Sequence, residues 1–440
     1  MKNMLKSKDR TFIGDLLEEF KEGTSCKVAG RVMAKRDIGR ISFLDIRDST
    51  GSIQILLRDG DVITPYEEVK KIKRGDLAYL EGTTLLTKTG ERSIKANSFN
   101  TVVRITNNIP NQRHVLSKEN QYNQRGLDMI VCQESFDRLK KRNTITKEIR
   151  KMLYDIGYEE VETPILCKET CTSIADDFVT FSKGLQSKLY LRKTPELKLK
   201  QLIVGGYDKI FELGKNFRNE SVSRLYHPEF TVLEAYESYA DYKDMLNLTK
   251  KILCKLDDIL GTPKTNPSNA KDVEFYDFIE KSIGKDATNM STEQIKNIIP
   301  EELRNNYITD VKGYYLYDLF KLELKNHQNE NIILHGIPKE ISVLGCIESS
   351  TGLVEEFRYF VGENLIANGI TELNDYNEQK DRVLMQSKNL HKSLDENDNI
   401  FLDILKFGMP PTAGLGLGID KLAMVYGETS NIKDVIYFPL

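Results

Sequence analysis

Five short segments in the first hundred residues alternate between hydrophobic and polar positions. A period of two is typical of β-strands that bury one face. Turn signals rich in Gly and Asp separate the segments, and a helical pattern at 66–72 follows the third one. Another helical pattern occupies 11–22. Five strands with a helix after the third predict a small OB-type barrel, an architecture that presents one face to oligonucleotides. The five segments are residues 28–33, 40–46, 52–57, 77–85 and 92–96.

The pattern changes after residue 108. Apolar positions recur at helical spacing from 135 to 154, and a strand is predicted over 158–166, where Pro164 favours the edge of a sheet or an interface. Mixed strands and helices follow, and residues 262–330, rich in Asn, Lys and Glu, look like an insertion. The sequence therefore predicts an α+β multidomain chain. Its parts are a barrel at 1–108, a polar linker at 109–134 and a larger domain at 135–440.

Charge is distributed unevenly between these parts. The chain has 63 Lys and Arg against 66 Asp and Glu, but residues 1–130 have 23 against 17 and residues 131–440 have 40 against 49. A basic front on an acidic body fits a polyanion-binding module joined to a separate domain, and uneven solvated charge would give the same totals. We expect no membrane helix and no signal peptide. The six scattered cysteines favour a reduced, cytoplasmic chain.

Three segments of the larger domain carry the chemistry. They are the helix and strand that end near Pro164, the pair 211–220 (FELGKNFRNE) and 228–236 (PEFTVLEAY), and the run 414–422 (GLGLGIDKL). In this order they resemble motifs 1, 2 and 3 of class II aminoacyl-tRNA synthetases. With the barrel and residues 367–375 (ANGITELND), the chain resembles the lysyl-tRNA synthetases of that class over nearly its whole length. The resemblance implies a catalytic domain with a mixed, mainly antiparallel sheet flanked by helices.

The second segment predicts two antiparallel strands, and Arg218 and Glu220 share a face because side chains alternate. An arginine fork can bind an α-phosphate and a carboxylate together, which neutralises charge that develops when the carboxylate attacks phosphorus. The resemblance implies that Arg218, Glu220 and His227 contact ATP and that Phe230 stacks under the adenine. His227 is displaced by one position from the loop histidine of the family. A surface salt bridge beside a core phenylalanine would use the same residue types.

The third segment places glycines before a cation. Glycine lets a backbone approach a ligand closely, and the start of a helix favours phosphate. The resemblance implies that Gly418 and Lys421 bind ATP and that Lys421 has a catalytic role beside Arg218. The family has an arginine at this position, which holds the γ-phosphate. Lysine provides a point charge without the planar fork.

Carboxylates carry the predicted specificity. Two acids and a phenol around one cation suit a lysine side chain better than a neutral one. By resemblance, Glu234, Tyr236 and Glu372 contact the ε-ammonium group of the substrate, Glu196 its α-amino group, and Asn368 its carboxylate. Solvated acids and a turn asparagine are the alternative for each.

The barrel also contains residues that match the family. By resemblance, Phe43, Gln54 and Glu91 meet the anticodon of a tRNA, through ring stacking and hydrogen bonds to base edges. Strand alternation leaves a second interpretation open for Phe43, which is that the ring belongs to the barrel core.

The sequence departs from the family at the phosphate and amino-acid ends of the site. Where the family has two Mg²⁺-binding glutamates, this chain has Arg358 and Leu365, and neither ligates a hard cation. Glu355, Glu356 or Glu363 would substitute if the strand slipped, but a slip of one residue reverses the side-chain face. The Gly/Ala-rich loop that closes over lysine in the family is replaced here by SIADD at 173–177. Where the resemblance leads us to expect an aromatic residue in the lysine pocket, this chain has Ile370.

These observations predict a cytoplasmic lysine–tRNA ligase that uses ATP and Mg²⁺, with the metal site undefined, and that binds lysine and tRNA-Lys. Motif 1 forms the subunit interface in the class, so the resemblance implies a homodimer. Two alternatives stay open: a divergent paralogue that activates lysine or a related amino acid for another acceptor, and a non-catalytic tRNA-binding or regulatory protein.

Overall fold

The computed structural model describes residues 9–110, 116–169, 176–261, 264–304, 310–389 and 396–440. The chain divides into two compact units, Met1–Leu116 and Ser117–Leu440. The division falls inside the predicted linker, 109–134. Residues 118–131 of that segment form two helices of the second unit.

The first unit is the closed five-stranded barrel that the period-two segments predict. Its strand order is β1-β2-β3-β5-β4, and all neighbours are antiparallel except β3 and β5. Alternate residues of each strand, among them Leu44, Ile46 and Ile55, fill the core. The leading helix is shorter than the pattern at 11–22 predicts. The elements are α1 (Ile13–Glu18), β1 (Ser25–Ile38), β2 (Ile41–Arg47), β3 (Ser52–Arg58), α2 (Tyr66–Lys70), β4 (Leu77–Leu86) and β5 (Arg92–Val103).

The second unit is built on an eight-stranded sheet in the order β12-β13-β14-β15-β16-β11-β10-β6. The sheet is antiparallel except for the pairs β12–β13 and β10–β6. A three-stranded sheet, β7-β9-β8, lies apart from it in the hydrogen-bonding order. The strands are β6 (Glu159–Glu160), β7 (Leu166–Cys167), β8 (Val179–Ser182), β9 (Ser187–Leu191), β10 (Lys209–Phe217), β11 (Glu229–Ser238), β12 (Lys271–Glu274), β13 (Asn331–Ile337), β14 (Val354–Val361), β15 (Asn364–Thr371) and β16 (Thr412–Gly418).

Helices cover the apolar face of the large sheet. Side chains of α5, α7 and α14 join those of the central strands in one core. The helices are α3 (Lys118–Asn123), α4 (Arg125–Val131), α5 (Gln133–Asp155), α6 (Glu196–Val204), α7 (Tyr242–Leu260), α8 (Phe275–Ile283), α9 (Thr292–Lys296), α10 (Glu301–Arg304), α11 (Lys312–Leu324), α12 (Tyr376–Asn389), α13 (Glu396–Leu405) and α14 (Ile419–Tyr426). Among the described residues, no helix is both long and apolar enough to cross a membrane.

Helix α5 holds α14 in place. Arg138 and Lys141 donate hydrogen bonds to the carbonyl oxygens of Gly427 and Tyr426, which satisfies orphan acceptors at the carboxyl end of α14. Arg142 pairs with Asp420 at 2.8 Å, and the other carboxylate oxygen of Asp420 accepts from the Thr231 amide at 2.6 Å. These contacts join α5, α14 and β11, the elements that position the glycine-rich segment.

The strand predicted at 158–166 is broken. Within this range only Glu159–Glu160 and Leu166–Cys167 are strands, and β6 is an edge strand of the large sheet, whereas Pro164 lies between the two strands. Between them, the amide of Thr163 donates to the carboxylate of Glu212 at 3.2 Å instead of to a neighbouring strand. A buried side chain therefore replaces the strand partner there.

The segment predicted as an insertion, 262–330, supplies an edge of the large sheet. Its strand β12 pairs in parallel with β13. Phe275 and Phe320, from α8 and α11, share a core with Ile332 and Phe360 of the sheet. The described part of this segment is thus a packed layer of the second unit.

Candidate active site

Four adjacent strands carry one row of polar positions. Glu234 of β11 lies opposite Gly416 of β16, Gly416 lies opposite Asn368 of β15, and Asn368 lies opposite Arg358 of β14. Residues directly opposite each other in antiparallel strands have their side chains on one face. The row therefore brings side chains from three distant segments to one face of the sheet, away from the apolar core.

Strand β16 keeps this face open. Gly414, Gly416 and Gly418 alternate with apolar residues, so that the three glycines share the face of the polar row. A Cβ atom at position 414 would collide with Glu372 Oε1 and lie 2.7 Å from the Tyr236 ring. The glycines provide the floor of a cavity.

One part of the cavity is a cleft of about 240 Å³ lined by Arg218, Glu220, Phe230 and Lys421. The half-buried Phe230 ring faces the cleft, and the guanidinium carbon of Arg218 lies 5.2 Å from the ring centroid. Among the described residues, no ion pair joins Arg218 to Glu220. This geometry disfavours the alternative of a surface salt bridge beside a core phenylalanine. A flat aromatic ring next to a cation suits a nucleotide base and its phosphate.

Lys421 lies in the first turn of α14, directly after the glycines. Its ammonium group donates to the Leu225 carbonyl at 2.8 Å and lies 4.9 Å from the centroid of the Tyr226 ring. Burial lowers the pKa of Lys421 to about 8, and the charges of Glu363 and Asp420 oppose that shift. Lys421 is therefore a cation that titrates near physiological pH.

His227 lines the same cleft and is held by main-chain groups on both ring nitrogens. Nδ1 lies 2.6 Å from the Glu229 carbonyl oxygen, and Nε2 accepts from the amide of Leu440 at 3.1 Å. The amide nitrogen of Glu229 also lies 3.2 Å from Nδ1, so both main-chain polar groups of Glu229 contact this ring nitrogen. In this arrangement His227 ties the loop between β10 and β11 to the carboxyl terminus.

The second part of the cavity, about 600 Å³, adjoins the first through Arg218, Glu220, Glu234 and Asn368. Its walls include all five residues that the sequence assigns to lysine: Glu196, Glu234, Tyr236, Asn368 and Glu372. The Tyr236 hydroxyl donates to Glu234 Oε2 at 3.3 Å, and Thr194 approaches Oε1 at 3.5 Å.

Sequence reasoning missed Lys200, a fully buried cation at this end of the site. Its ammonium group lies 2.7 Å from Glu196 Oε1 and 2.5 Å from Glu372 Oε2. Burial opposes the charge, but Glu196 and Glu372 outweigh it and raise the pKa of Lys200. Its spacing of four residues from Glu196 on one helix was the available signal.

Glu234 forms no ion pair with any described residue, and Glu372 shares Lys200 with Glu196. Burial, with the charges of Glu196 and Glu372, raises the pKa of Glu234 to about 8. Burial also raises the pKa of Glu372, and Lys200 opposes that shift. Three carboxylates share one resident cation, so a ligand with two ammonium groups would complete the charge balance.

The described residues do not form the Mg²⁺ site that the resemblance implies. They contain no cluster of three His, Cys, Asp or Glu side chains able to hold a metal. Arg358 lines the part of about 600 Å³, and Leu365 lines the cleft of about 240 Å³. Glu356 is buried in an ion pair with Arg358 at 2.6 Å. The side chains at positions 358 and 365 therefore supply no oxygen ligand for a hard divalent cation.

The predicted closing loop, 173–177, lies outside the described residues except for its last two. The Asp176 carbonyl accepts from the Asn219 amide at 3.1 Å, and Asp177 pairs with Lys193 at 2.9 Å. Ile370 lines the amino-acid part of the cavity.

The barrel places its three predicted residues near one another. Phe43 and Gln54 are half-buried on adjacent strands, outside the core formed by Leu44 and Ile55. The position of Phe43 on this outer face disfavours the core interpretation. Burial and the charge of the exposed Glu91 raise the pKa of Asp45, the direct partner of Gln54. Asp45, which sequence reasoning missed, therefore belongs to the same surface.

A barrel with an outer polar surface, and an antiparallel sheet that joins a nucleotide cleft to an acidic cavity, define an aminoacyl-tRNA synthetase of class II. The family described as tRNA synthetases class II (D, K and N) matches residues 117–440, and the OB-fold nucleic acid binding domain matches residues 26–102. The chain belongs to this class II family. The family uses ATP and Mg²⁺ in general.

Curated relatives agree in name. A protein named Lysine--tRNA ligase from Enterococcus faecalis is 36% identical over 96% of this chain and 88% of its own length. A Bacillus cereus protein of the same name is 36% identical over 99% of this chain and 90% of its own. A third, from Bacillus anthracis, is 36% identical over 94% and 86%.

Proposed function

We propose that this chain is a lysine–tRNA ligase, which joins lysine to tRNA-Lys at the expense of ATP. The observation that carries the proposal is the cavity lined by Glu196, Glu234, Glu372 and Tyr236, which adjoins the cleft lined by Arg218 and Phe230. Relatives of the same name over nearly the full length support it.

The residues fit an activation by positioning and charge stabilisation. Phe230 stacks on the adenine, and Arg218 binds the α-phosphate together with the lysine carboxylate. A carboxylate oxygen attacks the α-phosphorus, the bond to the bridging oxygen breaks, and pyrophosphate leaves beside Lys421. The 3′-terminal hydroxyl of the tRNA then attacks the carbonyl carbon of lysyl-adenylate, and AMP leaves. No covalent enzyme intermediate is required.

The acidic cavity holds the two ammonium groups of lysine. Glu196 takes the α-ammonium, while Glu234, Tyr236 and Glu372 take the ε-ammonium. Lys200 is a positioning residue, because it fixes Glu196 and Glu372 and reduces their mutual repulsion. Asn368 orients the carboxylate toward the nucleotide.

Two further expectations belong to this proposal. The resemblance to the class implies a homodimer and a cytoplasmic location. The resemblance assigns the partner surface to motif 1, and the exposed apolar side chains of Tyr154 and Ile156 in that segment support it. Phe43, Gln54 and Glu91 would read the anticodon.

Lysine-dependent ATP–pyrophosphate exchange, followed by charging of tRNA-Lys, tests both half-reactions. We expect both activities, and we expect Glu234→Gln to lower kcat/KM for lysine by about tenfold to a hundredfold, because one charge-assisted hydrogen bond is lost. Glu293→Gln, on the surface of α9, is the matched control.

The alternatives give distinct results. The replacement of both metal-binding glutamates by Arg358 and Leu365 favours a divergent paralogue as the second candidate. Exchange without charging of tRNA-Lys would support that paralogue and overturn the ligase. Tight tRNA binding without exchange for any amino acid would support a non-catalytic protein.

A further inference from the structure

The cation at position 358 lies inside the site. Arg358 extends from β14 on the face of the polar row, opposite Asn368, and lines the same cavity as Arg218 and Glu220. Its side chain is only 12% exposed. A guanidinium this deep in a protein is costly to bury unless other groups balance its charge.

Two neighbours keep Arg358 charged and fixed. Glu356 Oε1 lies 2.6 Å from Nε, and the guanidinium carbon lies 4.7 Å from the centroid of the Tyr317 ring. Burial opposes the charge of Arg358, but Glu356 and Tyr317 outweigh it and raise the pKa. Arg358 is therefore a permanent cation at any pH of physiological interest.

The contact with Glu356 is a single one. A fork-to-fork pair would occupy both carboxylate oxygens, yet Glu356 Oε2 is buried and has no hydrogen-bond partner in the described part of the chain. Glu356 thus engages the Nε edge only. It leaves the Nη edge, the edge that pairs with phosphate oxygens, to other partners.

The need for a cation at this place is clear from the charges of the substrate. A triphosphate brings several negative charges into a cavity that already holds Glu234 and Glu372. The described residues contain no carboxylate cluster that could bring in a divalent metal. Arg218 and Lys421 line the cleft of about 240 Å³, and Arg358 lines the part of the cavity that adjoins this cleft at Arg218 and Glu220.

We propose that Arg358 is a third phosphate-binding cation of this active site and that the chain binds ATP without a protein-bound divalent metal. Glu356 and Tyr317 are positioning residues for its guanidinium. The inference rests on the proposed function only in taking ATP as the nucleotide, and it concerns binding rather than turnover.

Direct titration of the full-length protein with ATP, by calorimetry, tests the inference in EDTA and in excess MgCl₂. We expect the wild-type affinity to differ by no more than about threefold between the two conditions. Arg358→Gln should weaken ATP binding in EDTA by about tenfold to a hundredfold, because a charge-assisted phosphate contact is lost. Arg358→Lys should recover part of the loss. Adenosine, which lacks phosphate, should bind all variants alike.

Two controls separate binding from folding. Lys271→Gln removes a cation from an exposed ion pair on the same sheet and should leave ATP affinity unchanged. Arg358→Gln leaves Glu356 without its ion-pair partner. The double variant with Glu356→Gln therefore removes both members of the pair. The ATP defect should persist in that double variant. Recovery of wild-type affinity there would overturn the inference, since the defect would then come from the unpaired glutamate.

Further results test the inference about Arg358 separately from the proposed function. Wild-type ATP binding that requires MgCl₂, or unchanged binding in Arg358→Gln, would overturn the inference even if lysine is activated. Failure of lysine activation with Arg358-dependent ATP binding would overturn the proposed function and leave this inference standing.

Discussion

Lysine at position 421 makes the phosphate end of the site sensitive to pH. Burial lowers the pKa of this ammonium group to about 8. The folded-state pKa lies below the usual lysine value, so the cation is present below pH 8 and is lost as the pH rises through 8. Arginine stays charged over the whole range in which proteins are studied.

Lys421→Arg should therefore flatten the pH profile of ATP use. In the wild type we expect KM for ATP to rise by up to about tenfold per pH unit above pH 8, since only the protonated amine binds phosphate. In Lys421→Arg we expect little change up to about pH 10. Pyrophosphate exchange at saturating lysine measures KM for ATP in both proteins. Lys271→Arg is the surface control, and an unchanged profile in Lys421→Arg would assign the titration to another group.

At the residue scale, the candidate site residues that could be predicted from the sequence are those that lie within short motifs. Arg218, Phe230, Glu234 and Glu372 fall within continuous segments whose order along the chain is informative. Lys200 and Asp45 were missed because their roles depend on partners from other segments, Glu372 for one and Glu91 for the other. No local pattern encodes such contacts. The roles of all these residues stay predictions.

At the scale of elements, β16 shows how a strand can serve as the floor of a site. Its three glycines face the cavity, and the apolar residues between them face the core. The sequence alone suggested a glycine-rich approach to phosphate near a helix. The structure adds that Gly414 also makes room for Glu372 and Tyr236, which belong to the amino-acid part.

Gly414→Ala should impair lysine activation more than ATP binding. The added methyl group would displace Glu372 and Tyr236, so we expect kcat/KM for lysine in the exchange assay to fall at least about tenfold, with a loss of about 1–3 kcal/mol in the free energy of unfolding. Gly126→Ala is the matched control, because a Cβ there meets no atom within 4 Å. That control should stabilise α4 by up to about 1 kcal/mol. Equal lysine and ATP defects in Gly414→Ala would contradict this assignment.

Elements with local signals were predictable, and elements with distant partners were not. The barrel strands follow from alternation because each has one buried face. The break in the strand at 158–166 depends on Glu212, and β12 depends on parallel pairing with β13, more than fifty residues later. Periodicity does not report partners at such separations.

At the scale of the whole molecule, the proposed mechanism divides the work between the two units. The basic excess of the first hundred or so residues lies with the barrel, and the carboxylates of the cavity lie in the acidic remainder. Amino-acid activation uses only the second unit in the proposed mechanism, whereas transfer also requires the tRNA to be held. The two half-reactions therefore report on different units.

Phe43→Ala should impair the transfer of lysine to tRNA and leave the activation of lysine intact. Stacking of a base on an aromatic ring contributes about 1–3 kcal/mol, so KM for tRNA-Lys in the charging assay should rise by roughly fivefold to a hundredfold. Lysine-dependent pyrophosphate exchange should be unchanged, because the described residues that line the cavity all belong to the second unit. Ile63→Ala, an exposed apolar residue outside β2 and β3, is the control.

The salt dependence of charging adds a second measure of the barrel. Phe43→Ala removes no charge, so the slope of log KM against log salt should equal that of the wild type while the whole line is displaced. A change of slope would mean that the variant alters phosphate contacts as well. A loss of exchange in Phe43→Ala would contradict the division of work between the units, since a barrel surface would then be needed for activation itself.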